Sequence, residues 1–277
     1  MKKAKKRVIP GFGLSMGITL TILSLIVIIP LASLVLFTAQ MSFSDIIETI
    51  TRKRVLSSFY VSFITAFIAT VINAVMGVIL AWVLVRYDFP FKRVLDGMIE
   101  LPFALPTAVA GIALTALTAD TGTIGSFFAQ FGVKIAYTKI GITVALVFVG
   151  IPFVVRAVQP VLEKFDPAYE EAAGVLGASR IKTFWKIIFP EIKPAIFTGF
   201  GLAFGRCIGE YGSVVFIAGN MPYETEITPL IIMSELQEYD YSSATVIALV
   251  MLLFSFALLF VVNLIQSRNS KILKGGN

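Results

Sequence analysis

Residues 166–195 read DPAYEEAAGVLGASRIKTFWKIIFPEIKPA, a polar and strongly patterned stretch inside a chain that is otherwise apolar. Asp166 followed by Pro167 is a helix start: a side-chain acceptor, then a residue whose missing N–H costs nothing at the first helical position. Glu170 and Glu171 add negative charge in the first turns, where the helix dipole favours it. Tyr169, Ala172, Ala173 and Leu176 recur at helical spacing on one face, and Gly177 fits a C-terminal stop. Ser179 can cap a second helix in which Ile181, Phe184, Trp185 and Ile188 repeat the spacing until Pro190 ends it. The expectation is helix, glycine turn, helix, with two apolar stripes that need cover. Fully burying a large apolar side chain gains roughly 1.5–3 kcal/mol, so such stripes do not stay in water without cause.

Composition says what surrounds this stretch. Of 277 residues, 57% are hydrophobic and 14% charged, and the mean hydropathy is +0.89, so the chain is read as an integral membrane protein. Six apolar segments approach or exceed the roughly 20 residues a helix needs to cross a bilayer: about 14–38, 58–85, 98–118, 139–160, 195–218 and 243–266. Helices are expected because every backbone polar group in lipid must be satisfied within its own segment. The first segment follows MKKAKKR, as in a signal peptide, but it is too long for a signal's apolar region and lacks a small-residue cleavage site, so an uncleaved span is expected.

Orientation follows from the cations. The N-tail, the 86–97 connection, the long fourth connection with its edges and the C-tail hold 17 Lys and Arg, whereas the three opposite connections hold five: Arg52, Lys53, Arg54, Lys134 and Lys139. The positive-inside rule then places both termini in the cytoplasm, together with residues 166–195. The expected organisation is a cytoplasmic tail at 1–13, one six-span membrane domain at 14–266 with a cytoplasmic loop at about 163–194, and a cytoplasmic tail at 267–277. The net charge of +6 is accounted for by this asymmetry, and no nucleic-acid partner is expected.

Much chemistry is excluded. There is no histidine, and Cys207 is the single cysteine, which rules out an intrachain disulfide, a multi-Cys/His metal site and the Ser-His-Asp or Cys-His nucleophile systems. No Gly-Lys dipeptide occurs, so the chain has no GxxxxGK[ST] phosphate loop and any ATP is hydrolysed elsewhere. Neither catalysis nor a cofactor or metal is expected of this chain.

Pattern alone leaves the cover of the two stripes open: the protein's own helix ends, the membrane surface, or a groove on a separate cytoplasmic partner that takes the small face of Ala172, Ala173 and Gly177. A DNA-binding helix pair is disfavoured, since a short loop between spans reaches a duplex poorly. Glu171, Ala172, Ala173, Gly177, Ile187 and Pro190 resemble the E-A-A-x3-G-x9-I-x-L-P signature of bacterial ABC importer permeases, with Phe189 in place of the signature leucine. The resemblance implies an all-α type I (MetI-like) permease whose loop is a coupling helix seated in a cleft of an ATP-binding subunit. LPFALPTAVAGIAL at 101–114 and LAFGRCIGEYGSVVFIAGN at 202–220 are similar to the T subunits (CysT type) of sulfate/thiosulfate permeases, close to molybdate permeases. That likeness covers about 14–266. It implies a partner permease of the W type or a second copy, an ATPase pair and an extracytoplasmic sulfate-binding protein. A molybdate or tungstate importer is the near alternative, and an ATPase-independent transporter the distant one.

A few polar groups fall within the spans. Arg206 and Glu210, four apart in the fifth, are expected to form an internal ion pair in preference to an anion contact, because buried charges are normally paired. With one membrane-embedded arginine, the subunit is expected to offer sulfate a transient path, not a tight site. Gly201, Gly205 and Gly209 form a small-residue row suited to close helix packing. Pro102 and Pro106 can kink the third span, and Glu100 and Asn73 are expected in helix–helix polar contacts. Glu224, Glu226, Glu235, Glu238 and Asp240 follow the fifth span without a Lys or Arg, and their expected state is a solvated face.

Overall fold

A computed structural model describes residues 12–274, with side chains through Leu264 except Asn263; the basic run at 2–7 and the last three residues lie outside the described residues. The described residues are helical with no strand. In chain order the helices are α1 (Phe12–Ala39), α2 (Phe43–Thr51), α3 (Lys53–Arg86), α4 (Lys92–Ile99), α5 (Leu101–Ala104), α6 (Thr107–Thr118), α7 (Thr123–Ala129), α8 (Lys139–Lys164), α9 (Ala168–Val175), α10 (Arg180–Ile208), α11 (Val214–Ile217), α12 (Thr228–Gln237) and α13 (Tyr241–Lys274). Five of them, α1, α3, α8, α10 and α13, are long and apolar enough to cross a membrane, and the pair α6–α7, bent by 43°, supplies a broken sixth.

The core is the triangle α3, α8 and α10, brought together where small residues let backbones approach. A Cβ on Gly77 of α3 would stand 2.7 Å from Val154 of α8, and one on Gly199 of α10 would stand 2.8 Å from the Val154 Cα. The expected row of Gly201, Gly205 and Gly209 is not one packing face. Gly201 is buried, Gly205 faces Leu259 of α13, and Gly209 has nothing near its missing side chain. Asn73, fully buried in α3, points at Gly150, where a Cβ would stand 2.3 Å from its Nδ2. Neither amide atom has a hydrogen-bond partner among the described residues, so the expected polar contact is absent. Helix α1 packs through its second half on α13 and leaves almost all of its side chains uncovered, as a lipid-facing helix does.

Prolines correct the helix limits in two ways. The third span is not continuous over 98–118: α5 ends at Ala104, Leu105 turns extended, and α6 starts after Pro106, because proline disfavours α geometry in the residue before it. Pro190, by contrast, does not end its helix. A π turn over Phe184–Ile188 runs into Phe189, whose N–H reaches Phe184 O, and the widened turn clears the carbonyl that the proline ring would strike. Pro30 sits behind an identical π turn at Ser24–Ile28. The fifth span therefore runs 180–208, not 195–218, and stops at Gly209.

Candidate functional site

The 166–195 stretch folds as helix, glycine turn, helix. Asp166 Oδ1 accepts from Ala168 N–H at 2.9 Å, which caps α9. At the other end Gly177 takes φ +79°, a conformation that suits glycine. Ala178 N–H reaches back to Ala173 O, and Gly177 N–H to Gly174 O, both at 2.9 Å, the closing pattern of a helix with a left-handed stop. Ser179 Oγ then accepts from Lys182 N–H at 3.4 Å and starts α10.

This element is pinned to the end of α3. Arg86 forms an ion pair with Glu170, and its guanidinium lies 5.2 Å from the Trp82 ring and 5.8 Å from the Phe165 ring. Trp82 in turn meets Phe184 edge to face at 5.5 Å. The protein's own helix ends therefore cover part of the two apolar stripes and leave the rest open. Ala173 and Ile188 are buried against the protein itself, and Phe184 is partly so, whereas Ile181 and Trp185 remain exposed. Glu171, Ala172, Gly177 and Pro190 are open to solvent and Ile187 is half-buried. Of the small face, Ala173 turns inward. The outermost residues are Val175, 88% exposed, and Leu176, 87% exposed. Val175 is off the stripe that the spacing predicted, and its position just before the glycine stop is the signal that marks it.

A second constellation forms where the end of α10 meets the start of α6. Arg206 Nη1 lies 2.5 Å from Glu210 Oε2, so the expected ion pair is made. Glu210, however, stands beyond the helix, is 2% exposed, and its Oε1 also accepts from Ser213 N–H at 2.8 Å and Ser213 Oγ at 2.9 Å. The carboxylate thus satisfies the backbone of a buried non-helical turn, where an unpaired N–H is costly. That turn rests on the start of α6: a Cβ on Gly212 would stand 2.1 Å from Thr107 Oγ1, and one on Gly111 would stand 2.4 Å from Ser213 O. Arg206 itself keeps 35% of its side chain exposed.

Two further expectations are corrected. Arg206 does not stand alone in the spans, because Arg156 lies within α8, paired with Asp96 and Glu100; Glu100 thus makes the polar contact expected of it. The acidic connection is not a solvated face throughout. Glu226 is 1% exposed and is gripped by Arg54, Glu235 is mostly buried 3.9 Å from Arg52, and Asp240 caps α13 through Ser243. The cations that answer these acids are distant in sequence, so charge counting within the loop misses them.

The fold matches solved importers. A bacterial ABC transporter involved in the import of the acidic polysaccharide alginate superposes with a TM-score of 0.78 over 93% of this chain and 96% of that one, at 15% identity. A bacterial alginate ABC transporter in complex with alginate pentasaccharide-bound periplasmic protein gives 0.76 over 92% and 93%, at 19% identity. The architecture is that of a type I ABC importer permease. Much closer in sequence are permeases called sulfate transport system permease protein CysT. The Salmonella typhimurium protein is 48% identical over 265 residues, 96% of each chain, and that of Synechocystis is 46% identical over 249 residues, 90% of this chain and 87% of the relative. The model of the binding-protein-dependent transport system inner membrane component family matches residues 73–271. Five helices long and apolar enough to cross a membrane, a bent pair that makes up to six, and likeness to these permeases over nearly the whole chain agree, and the chain belongs to the binding-protein-dependent transport system inner membrane component family.

Proposed function

We propose that this chain is the T-type permease subunit of an ATP-driven importer for sulfate and thiosulfate, supplying half of the translocation pathway. The observation that carries the substrate is the 48% identity to a sulfate permease across 96% of both chains. Its partners are then an ATP-binding pair, a second permease of the W type or a second copy, and an extracytoplasmic sulfate-binding protein. It sits in the bacterial inner membrane with both termini in the cytoplasm, an orientation supported by the Lys/Arg asymmetry of the connections.

Coupling to the ATPase runs through Glu171, Ala172, Ala173, Gly177, Ile187 and Pro190, with the apolar tip of Val175 and Leu176 as the part that enters the partner's cleft. The exposure of that tip supports the reading, since large side chains left in water on an ordered turn mark a partner site. Closure of the ATPase pair pushes α9, and the Arg86–Glu170 pair and the Trp82–Phe184 contact pass the push to α3 and α10. Arg206 and Glu210 act first as the pair that holds the turn after α10.

The test is ATP-driven uptake by the complete transporter in liposomes with labelled sulfate against molybdate. Sulfate uptake that needs both ATP and the binding protein is expected. Uptake of molybdate without sulfate overturns the substrate, and uptake without the ATPase overturns the class.

A further inference from the structure

Arg156 stands on α8 roughly 26 Å along the helix from Lys139, in the half toward α9. Its Nη1 donates to Asp96 Oδ1 at 2.7 Å and to Gln159 Oε1 at 2.6 Å, while Nη2 lies 2.8 Å from Glu100 Oε1 and donates to the Asp96 carbonyl at 3.2 Å. Two carboxylates on one guanidinium leave the cluster net negative. None of the three is sealed: the side chains of Arg156, Asp96 and Glu100 are 29%, 38% and 58% exposed. Charged groups within spans face protein or a water-filled cavity, not lipid. This face of α8 is therefore turned to water or to a neighbouring subunit, and not to lipid.

Both acids belong to α4 and its terminus, and α4 is jointed at each end. Before it, Phe91 takes φ +66°, a left-handed conformation that non-glycine residues adopt at a cost. Behind it come Pro102, the extended Leu105 and Pro106. Between these joints α4 is held to the bundle by the Arg156 cluster, by the apolar contacts of Leu95 and Ile99, and by the neighbouring Phe103–Phe153 ring pair at 5.2 Å. Beyond the proline break α6 bears on Ser213, the residue that Glu210 holds.

We propose that Arg156 is an anion-contact residue in the inner half of the translocation pathway, and that Asp96 and Glu100 are the latch that covers it. The assignment rests on the anionic substrate proposed above. With the latch closed, the guanidinium is occupied and the net negative cluster repels a dianion, which bars leakage in either direction. When α4 swings on its two joints the carboxylates withdraw, and the guanidinium fork is free to take two oxygens of a tetrahedral oxyanion. Return of the latch displaces the anion, so contact is brief and the site never becomes a trap.

The experiment uses the complete transporter in liposomes. In the Asp96→Asn, Glu100→Gln double variant, ATP-independent efflux of preloaded labelled sulfate is expected to rise about tenfold, and ATPase activity to lose its dependence on loaded binding protein. Leak and ATPase dependence equal to wild type overturn the latch. Adding Arg156→Gln removes all three charges together and leaves groups that can still hydrogen-bond, so this triple variant is expected to assemble, with maximal uptake lowered about tenfold relative to the double. Uptake by the triple variant equal to the double overturns the anion contact. Arg156→Lys alone keeps the charge without the fork and is expected to give intermediate uptake on an assembled complex; wild-type uptake there overturns the fork's role even if the triple variant fails to assemble. Should wild type carry molybdate and not sulfate, the substrate proposal fails alone, and the same variants are scored on molybdate.

Discussion

Arg54 grips Glu226 with both arms of its guanidinium, Nε donating to Oε2 at 2.8 Å and Nη2 to Oε1 at 2.6 Å. Glu226 is 1% exposed, so this pair ties the connection after α11 to the first turn of α3. At the far end of the same 34-residue helix, Arg86 ties α9 through Glu170. One helix of roughly 51 Å, longer than the ~30 Å apolar layer, thus carries an arginine clamp at each end. Arg54→Ala strands a buried carboxylate and is expected to cost roughly 3 kcal/mol. Thermal unfolding in detergent reads this, and Arg54→Ala combined with Glu226→Ala should recover part of the loss; equal instability of single and double variants contradicts the clamp.

The neighbouring acids set a pH dependence of opposite signs. Burial, reinforced by Asp240, holds the Glu235 carboxyl above the usual range, and Arg52 at 3.9 Å does not offset it. The folded state therefore holds that proton more tightly than the unfolded chain, and stability from this group falls as pH rises through the interval above the ordinary glutamate value. Glu235→Gln is expected to match or exceed wild-type stability at neutral pH, with the difference fading once both states are protonated in acid.

Asp240 goes the other way, because Ser243 Oγ and N–H donate to its carboxylate and hold it below the usual range. Its stabilisation is present above the ordinary aspartate value and is lost as pH falls through the lowered folded value. Asp240→Ala should cost about 1 kcal/mol at neutral pH, as loss of a helix cap does, and less in strong acid. A pH series of melting curves on both variants checks the two signs, and a penalty for Asp240→Ala that grows in acid contradicts this account.

For Arg206 and Glu210 the asymmetry of partners predicts unequal costs. Arg206→Ala leaves Glu210 still bonded to Ser213 and is expected to cost roughly 2 kcal/mol, whereas Glu210→Ala also strands the Ser213 N–H in a buried turn and should cost more. The double variant should show a clear coupling energy. Normal assembly of Arg206→Ala and of the double variant, both with lost sulfate uptake and no rescue from removing Glu210, would instead make Arg206 a direct anion contact.

The coupling tip predicts a loss of function without a loss of fold. Val175→Glu with Leu176→Glu changes two nearly fully exposed side chains, so stability should move by no more than about 0.5 kcal/mol. Transport and crosslinking to the ATPase should both vanish. Glu171→Arg is expected to uncouple in the same way, and Gly177→Asp to uncouple with an added stability cost from its φ of +79°; survival of transport and crosslinking in all three variants ends the coupling assignment.

Sequence alone determined the membrane class, the all-helical architecture and the helix–turn–helix of 166–195. These depend on local chemistry: apolar length against bilayer thickness, a proline after an aspartate, and a glycine where φ turns positive. The Arg206–Glu210 pair was legible for the same reason, being four residues apart. Tertiary structure decided the rest. A proline breaks the helix at Pro106, follows a π turn at Pro190 and lies inside a continuous helix at Pro152 and Pro160, so prolines that read alike in sequence fold differently. Which acids are solvated depends on cations far away in the chain: Arg54 meets Glu226, and Arg156 meets Asp96 and Glu100, because α3 and α8 carry them there. Hydropathy records how greasy a segment is, and it carries no term for the partner that a charge finds once the bundle closes.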